Sequence, residues 1–300
     1  MKNLLTVFTL SALLVGCGQK EQVATQIVNG DQFADTNYVY RPGVDTGFSK
    51  YLTRSLYGTK KIVLTFDDGP HPVNTPKILD LLDRYNVKAT FFVLGALAKK
   101  YPAIIERMNR EGHIVANHSY DHANSNDVSK ADFEKSVVDS IKNITSSGWE
   151  GREQYFRFPY GAYGSKRRDY HHYESLKSIG QKLYGENCLN FVFWDVDTSD
   201  WYLKKYSKAP QMISQTAYAH LEGGLSYDFD YYEANRKPQL IRKGLQGGVI
   251  LMHDIHETSF RALPLLLDKV LAQGYEVVPL NEVEEFQYPA KLECQLKNLF

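Results

Sequence analysis

From residue 60 to residue 280 the sequence alternates between short apolar runs and longer amphipathic segments. The apolar runs are typical of buried strands. The amphipathic segments place apolar residues at close to the helical period, as Phe133, Val137, Ile141 and Ile144 do. Because strict alternation of strands and helices favours a mainly parallel sheet with covering helices, it predicts an α/β fold. Periodicity alone leaves open whether the sheet closes.

Start and stop signals set approximate bounds for these elements. Thr75 before Pro76 predicts a helix N-cap, and Ser129 followed by Asp132 is similar to a capping box. The predicted strands cover residues 62–66, 87–94, 113–116, 154–158, 191–195, 248–252 and 275–280. The predicted helices cover residues 75–86, 102–112, 129–144, 174–183, 211–221 and 260–273.

Composition places the chain among ordinary globular proteins. Its 300 residues are 43% hydrophobic and 23% charged, which fits one large domain, or one domain with a small extension. Basic and acidic residues balance at 35 each, so no overall field attracts the protein to nucleic acid or to anionic lipid. The predicted divisions are a leader, a polar tether with an irregular extension, a main domain and a tail, at residues 1–16, 17–58, 59–287 and 288–300.

The first 16 residues have the pattern of an export signal. Lys2 gives a charged start, and residues 4–15 are mostly apolar but too short to span a bilayer as a mature helix. The following Leu14-Val15-Gly16-Cys17 resembles a bacterial lipoprotein signal, which implies cleavage before Cys17 and a lipid on that cysteine. The alternative is a plain secretory signal with an incidental cysteine. By analogy with other lipoproteins, Gly18 favours the outer membrane.

Two adjacent carboxylates end the first predicted strand. Asp67 and Asp68 follow an apolar run and precede Gly69-Pro70, which stops the strand because proline lacks a ladder donor. Neighbouring side chains on a strand point to opposite faces, so Asp67 and Asp68 are expected to have different roles. Asp-Asp-Gly-Pro is also good turn chemistry, and that reading remains open at this point.

A pair of histidines follows a later predicted strand. His118 and His122 are four residues apart, and their rings can converge on one ion if the turn between them is helical. With one carboxylate from a distant strand they would make a two-His, one-carboxylate set, which leaves positions for water and substrate. Taken alone, the spacing also fits two surface histidines.

Five segments in order resemble the motifs of the polysaccharide deacetylases, the family with the NodB homology domain. These segments are Thr-Phe-Asp-Asp-Gly-Pro at 65–70, Asn-His-Ser-Tyr-Asp-His at 117–122, Arg-Phe-Pro-Tyr-Gly at 157–161, Asp-Thr-Ser-Asp-Trp at 197–201 and Ile-Leu-Met-His-Asp at 250–254. The resemblance implies a distorted (β/α) barrel of about seven parallel strands with the site at the strand ends. Phe158 departs from the pattern, because many members have proline there, and this could alter the groove.

The resemblance also implies the reacting groups. Asp68, His118 and His122 would bind a divalent metal, Zn²⁺ in the first place, with Co²⁺, Ni²⁺ or Mn²⁺ as alternatives. Asp67 would be the general base and His253 the general acid, a role that suits a side chain that titrates near neutrality.

The remaining motif residues would support this chemistry. Arg157 would orient Asp67 by a two-pronged contact. The backbone N–H of Tyr160 would bind the oxyanion, Trp201 would wall the pocket and Leu251 would contact the acetyl methyl group. Asp197 and Asp200 would hold the functional histidine and arginine, and the sequence leaves open which acid holds which partner.

The implied activity is removal of acetyl groups from N-acetylglucosamine in a glycan. An exported, tethered enzyme meets peptidoglycan, which is the favoured substrate. Poly-N-acetylglucosamine, chitin fragments and N-acetylmuramic acid are alternatives. Two further hypotheses are a non-catalytic glycan-binding lipoprotein and a hydrolase of small amides or esters. A complete set of ligands, acid and base argues against binding alone.

Several other polar residues match no motif. Cys188 and Cys294 could form a disulfide in an oxidising compartment, or remain buried thiols. Six histidines are assigned to the surface or to structure: His71, His113, His171, His172, His220 and His256.

Overall fold

The apolar run before the paired carboxylates forms a strand from Lys61 to Asp67, and every residue after Lys61 in it is buried. Burial on both faces is typical of a central parallel strand covered by helices.

The computed structural model describes residues 53–149, 154–165, 170–185 and 188–287. The described strands are β1 (Lys61–Asp67), β2 (Thr90–Val93), β3 (Ile114–Asn117), β4 (Tyr155–Phe156), β5 (Gly164–Ser165), β6 (Tyr170–His171), β7 (Asn190–Phe191), β8 (Val196–Asp197), β9 (Gly224–Ser226), β10 (Gln239–Ile241), β11 (Gly248–His253) and β12 (Glu276–Val277).

The main sheet is parallel and follows the order β7-β4-β3-β2-β1-β11-β8, with β12 paired to β1 beside this path. Its two end strands, β7 and β8, are joined by residues 192–195, so the sheet curls back on itself. The implied barrel-like sheet of about seven parallel strands is confirmed. Two antiparallel pairs lie outside it, β5 with β6 and β9 with β10.

Helices cover the sheet in the expected alternation. Their bounds are Asn74–Arg84, Gly95–Lys100, Pro102–Arg110, Lys130–Ser146, His172–Tyr184, Asp200–Leu203, Ala209–Glu222, Phe229–Asn235 and Glu257–Ala272. Single 3-10 turns occupy Arg54–Leu56, Pro159–Gly161, Leu280–Glu282 and Glu284–Phe286. Among the residues described, no helix is both long and apolar enough to cross a membrane.

The helix signals succeeded at one end and failed at another. Ser129 caps the helix Lys130–Ser146, and its side chain accepts a hydrogen bond from the Asp132 N–H, as predicted. The predicted cap at Thr75 is wrong, because the helix begins at Asn74 and Thr75 lies inside it. The Thr75 hydroxyl instead accepts from the His71 N–H and donates to the Asp254 carboxylate.

The predicted strand over residues 191–195 is also wrong, because the segment passes from one edge of the sheet to the other. Asn190–Phe191 pairs with β4, and Val196–Asp197 pairs with β11. Between them, the carbonyls of Val192 and Phe193 accept hydrogen bonds from the Arg157 guanidinium at 3.0 Å each. These carbonyls are therefore committed to a side chain rather than to a neighbouring strand.

The core has two parts. The larger surrounds β1, β2, β3 and β11. The smaller is rich in aromatic residues and is built from the helices Lys130–Ser146 and His172–Tyr184 with β4 and β7. Phe158, the departure from the family pattern, is fully buried in that cluster and stacks on Phe133 with ring centroids 5.9 Å apart. It therefore fills the core beneath the site and does not line a groove. Cys188 is buried and disulfide-bonded, whereas Cys17 and Cys294 lie outside the described residues.

Candidate metal and catalytic site

The carboxyl ends of the central strands bring distant motifs together. Asp67 is the last residue of β1, His253 is the last residue of β11, and the two are directly paired in the sheet register. Asp68 follows in the left-handed conformation, with φ of 75°, a region that few residues other than glycine adopt. Such a turn separates the two carboxylates, and backbone strain of this kind is common at functional sites.

Asp68, His118 and His122 form one cluster, as the resemblance implied. Their potential ligand atoms all lie within 4.8 Å of one another. The Asp68 Oδ1 atom lies 3.1 Å from His122 Nε2 and 3.5 Å from His118 Nε2. The His118 Nδ1 atom contacts the Arg157 carbonyl oxygen at 2.8 Å, so its N–H lies there and Nε2 is left as the free acceptor.

The turn between the two histidines is not helical, which corrects that part of the expectation. Ser119 and His122 both have left-handed backbones, with φ of 69° and 64°. The Asn117 side chain accepts from the Ser119 N–H at 2.8 Å, and the Ser119 hydroxyl accepts from the His122 N–H at 3.2 Å. Asn117 therefore shapes the turn that brings the two rings together.

The cluster fits a divalent cation. Asp68 Oδ1 is buried and accepts no hydrogen bond from the residues that the structure describes, which is a costly state for a carboxylate oxygen unless a cation satisfies it. Burial would raise the pKa of Asp68, but His118, His253 and His122 outweigh it and hold that pKa well below the usual range. Burial also lowers the pKa of His122, which favours the neutral, metal-binding form of its ring. One carboxylate oxygen and two imidazole nitrogens are a donor set that zinc accepts.

Asp67 is anchored at the edge of that cluster by a buried arginine. Arg157 Nη1 donates to Asp67 Oδ1 and to the Thr65 hydroxyl, both at 2.8 Å. The guanidinium is fully buried and lies over the Phe92 ring, 4.0 Å from its centroid. The contact with Asp67 is a single hydrogen bond, not the two-pronged contact expected. The second oxygen of Asp67, Oδ2, faces His118 Nε2 at 3.6 Å.

His253 is held by Asp200, which resolves the question that the sequence left open. The His253 Nδ1 atom and the His253 backbone N–H both lie 2.7 Å from Asp200 oxygens. The Ser259 hydroxyl donates to the same carboxylate at 2.6 Å. Burial would lower the pKa of His253, but the charge and hydrogen bond of Asp200, with Asp68 and Asp67, raise it to about 10. The imidazole is therefore protonated at neutral pH, with Nε2 4.0 Å from Asp68 Oδ2.

Asp197 does not hold the arginine. Its carboxylate accepts from the Ser199 N–H at 2.7 Å, within its own turn. The hydrogen bonds of the Arg157 guanidinium to described residues go to Thr65, Asp67 and two carbonyls instead. Burial raises the pKa of Asp197 to about 6. With Asp200 on His253, the remaining pairing of Asp197 with Arg157 is not among the hydrogen bonds of the described residues.

The remaining motif residues surround the opening. The Tyr160 backbone is left-handed, with φ of 58°, and its side chain is 67% exposed with its ring 4.5 Å from the His122 ring. Trp201 is 36% exposed and packs on Phe229, with centroids 4.6 Å apart. Leu251 is only 3% exposed, within β11. An exposed aromatic ring therefore lies directly beside a histidine of the cluster.

One further residue contacts this region, and no motif role suggested it. Asp254 is fully buried one position after His253, and its carboxylate lies directly against the backbone of Gly69. A Cβ atom at Gly69 would lie 2.2 Å from Asp254 Oδ2. Burial raises the pKa of Asp254 to about 7. In the sequence, the one sign that Asp254 could contact the site is its position directly after His253, at the end of an apolar strand.

Comparisons with known proteins agree with this arrangement. A family model described as polysaccharide deacetylase matches residues 56–177. The peptidoglycan-N-acetylglucosamine deacetylase PgdA of Listeria monocytogenes is 32% identical over 228 residues, which cover 75% of this chain and 39% of that protein. The chain belongs to the polysaccharide deacetylase family.

Other relatives in this family share the fold and much of the length. A chitooligosaccharide deacetylase of Bradyrhizobium is 28% identical, with 75% of this chain and 91% of that protein covered. The crystal structure of peptidoglycan deacetylase PdaC from Bacillus subtilis superimposes with a TM-score of 0.52 at 28% identity, covering 78% of this chain and 93% of that one. The chain spans about two fifths of the length of the Listeria polysaccharide deacetylase that it matches.

Proposed function

We propose that this chain is a metal-dependent hydrolase that removes acetyl groups from N-acetylglucosamine residues of peptidoglycan and releases acetate. One observation carries the proposal. The adjacent carboxylates Asp67 and Asp68 occupy different environments, with Asp67 on the Arg157 guanidinium and Asp68 against His118 and His122. Two carboxylates in different environments commonly have different chemical roles.

Asp68, His118 and His122 would hold the metal. When bound, such an ion polarises a carbonyl and makes water more acidic at neutral pH. Zn²⁺ suits the donor set best, and Co²⁺, Ni²⁺ or Mn²⁺ are alternatives.

The protein side chains would then move the protons. Asp67, oriented by Arg157, takes a proton from the attacking water, whose oxygen bonds to the acetyl carbon. The backbone N–H of Tyr160 donates to the oxyanion that forms. His253, protonated and oriented by Asp200, gives its proton to the nitrogen as the carbon–nitrogen bond breaks. The products are acetate and a free amine on the sugar.

The pocket walls would hold the sugar and its acetyl group. Trp201 is partly exposed and would stack on the sugar, and Leu251, two residues before His253 on β11, would contact the acetyl methyl group. Asp197 takes a different role from the one implied by the family, because it bonds within its own turn. We assign it to shaping the turn that presents Asp200 and Trp201.

Peptidoglycan is the favoured substrate for two reasons. The Listeria and Bacillus relatives carry names of peptidoglycan deacetylases, and an exported, anchored protein would meet that polymer. The second candidate is a neutral chitooligosaccharide, which is favoured by the Bradyrhizobium relative, because nearly its whole length aligns with this chain. Poly-N-acetylglucosamine and N-acetylmuramic acid are further alternatives. A non-catalytic glycan-binding protein would not need an acid, a base and three ligands together.

We also propose a place in the cell and a division of the chain. Residues 1–16 would be a lipoprotein signal, residues 17–58 a tether from a lipid on Cys17, residues 59–287 the deacetylase domain and residues 288–300 a tail. The protein would then face the periplasm on the envelope, with the outer membrane favoured by Gly18. If so, Cys17→Ser leaves a folded protein in the soluble fraction. Wild-type protein without lipid mass on Cys17 would contradict the anchor.

The proposed activity is tested by acetate release. The purified chain is incubated with peptidoglycan and, separately, with N-acetylglucosamine oligomers, before and after treatment with a chelator and after return of Zn²⁺. We expect acetate from peptidoglycan, its loss on chelation and its recovery with zinc. No acetate from either glycan, or full activity after removal of metal, would contradict the proposal.

A further inference from the structure

The rim of the site carries an exposed lysine, Lys204, which forms no ion pair with a carboxylate of the described residues. Lys204 directly follows the short helix Asp200–Leu203, and its N–H donates to the Asp200 carbonyl at 3.1 Å, so it continues the helical turn. Residues three apart on a helix share one face. Lys204 therefore stands on the same face as Trp201, the residue that would wall the pocket.

The Lys204 side chain is held toward the acid side of the site. Its Nζ atom lies 3.2 Å from His256 Nε2, and the His256 ring lies 6.1 Å from the His253 ring. Burial lowers the pKa of His256 to about 4, so its neutral ring accepts a hydrogen bond from the ammonium group. A neutral acceptor positions Lys204 without cancelling its charge.

The neighbouring lysine is in a different situation. Lys205 Nζ lies 3.8 Å from a Glu233 carboxylate oxygen and 3.8 Å from the centroid of the Tyr202 ring. Lys204 is exposed and, within the part of the chain that is described, forms no ion pair with a carboxylate. Two adjacent lysines thus differ in whether their charge is available to a ligand.

A lysine ammonium group that is free to bind a ligand, beside the region that would hold the acetyl group, can distinguish charged glycans from neutral ones. An oligomer of N-acetylglucosamine is neutral, whereas the alternate sugar of peptidoglycan carries a lactyl group and a peptide with carboxylates. We propose that Lys204 is a specificity residue that binds a carboxylate on the sugar next to the one being deacetylated. This inference rests on the proposed function and adds the substrate feature that the site recognises.

The experiment compares Lys204→Gln with Lys205→Gln, the same change at adjacent positions, on peptidoglycan glycan strands and on an N-acetylglucosamine tetramer. We expect Lys204→Gln to lower kcat/KM on peptidoglycan by about fivefold, as for one exposed charge contact, and to leave the tetramer within about twofold. Lys205→Gln should leave both substrates unchanged. Hydrolysis of the bond to the peptide frees the lactyl carboxylate, which is part of an amide in intact strands, so a smaller effect of Lys204→Gln on the stripped strands would indicate that Lys204 binds a carboxylate of the peptide.

Equal effects of Lys204→Gln on the charged and neutral glycans, or none on either, would overturn the inference while leaving the deacetylase activity established. A second readout covers the opposite case. If wild-type protein releases no acetate from either glycan, the proposed function fails, and co-sedimentation with insoluble peptidoglycan and with chitin still tests Lys204. Weaker binding of Lys204→Gln to peptidoglycan alone supports the inference, and unchanged binding overturns it.

Discussion

Asp200 binds His253 through both of its oxygens, one to the ring Nδ1 and one to the backbone N–H, each at 2.7 Å. Asp200 is fully buried, and the Ser259 hydroxyl donates to its carboxylate. The ring is thus fixed with Nε2 toward Asp68. Fixed orientation and retained positive charge are both properties that a proton donor needs.

Asp200→Asn should therefore impair the acid without disturbing the metal. The amide keeps the shape but removes the negative charge that keeps His253 protonated, so we expect kcat to fall by about 10²-fold with metal content unchanged. Steady-state kinetics beside metal analysis test this. Asp197→Asn is the matched control, because the Asp197 carboxylate accepts a hydrogen bond from Ser199 within its own turn. An equal loss of kcat there would contradict the division between the two acids.

Because Gly69 and Asp254 are in contact, we expect substitutions at the two positions to have coupled effects on zinc affinity. In Gly69→Ala the new methyl group meets the Asp254 carboxylate, so the turn that carries Asp68 must shift. We expect zinc affinity to fall by about 10-fold to 100-fold, as for other residues that position metal ligands. Competition with a coloured chelator measures the affinity.

Removing the carboxylate should relieve that clash. The double variant Gly69→Ala, Asp254→Ala is expected to bind zinc no more weakly than Gly69→Ala, because the second change makes room for the first. Additive losses in the two single variants and the double variant would show that the two residues act independently.

The buried ring of His113 is expected to lower the free energy of unfolding in acid. The ring is 3% exposed, its Nδ1 accepts from the Ala89 N–H, and burial together with the Lys88 and Arg107 charges lowers its pKa to about 4. In the unfolded chain that pKa is about 6.5, so only the unfolded state gains a proton between these values. The free energy of unfolding should be unaffected by this residue above about pH 6.5 and fall by up to about 3 kcal/mol as the pH drops toward 4.

Urea unfolding of wild type and His113→Gln across that range checks the sign. At neutral pH the two proteins should differ by a constant amount that reflects lost packing. The gap should narrow on acidification, because the variant has no proton to gain at this position. A gap that stays constant down to pH 4.5 would show that His113 is not the group responsible.

The resemblance of the motifs implied the cluster of Asp68, His118 and His122, and the cluster forms because the carboxyl ends of parallel strands meet at one edge of a sheet. What the sequence lacks is the contact across long separations. Thr75 before Pro76 has the form of a helix cap, yet its hydroxyl bonds Asp254, 179 residues away. Local propensity cannot anticipate a partner so distant in the chain.

The acids of the fourth motif show the same limit. No sequence pattern distinguishes Asp197 from Asp200 as the partner of His253. Asp200 takes that place in a turn that contains the left-handed backbone of Ser199, and it also accepts a hydrogen bond from Ser259, far along the chain. Residues 191–194 are all apolar, which is typical of a buried strand. Their carbonyls instead bond Arg157, a contact that only the assembled sheet creates.

Adjacent aspartates with separate roles are the centre of the proposed mechanism, and one paired measurement tests them directly. Asp67→Asn and Asp68→Asn make the same chemical change one residue apart, and zinc per chain is measured beside kcat for acetate release. We predict that Asp68→Asn loses zinc and activity together, whereas Asp67→Asn retains zinc while kcat falls by about 10²-fold to 10⁴-fold. Loss of zinc in Asp67→Asn, or full zinc in Asp68→Asn, would contradict the assignment of base and ligand.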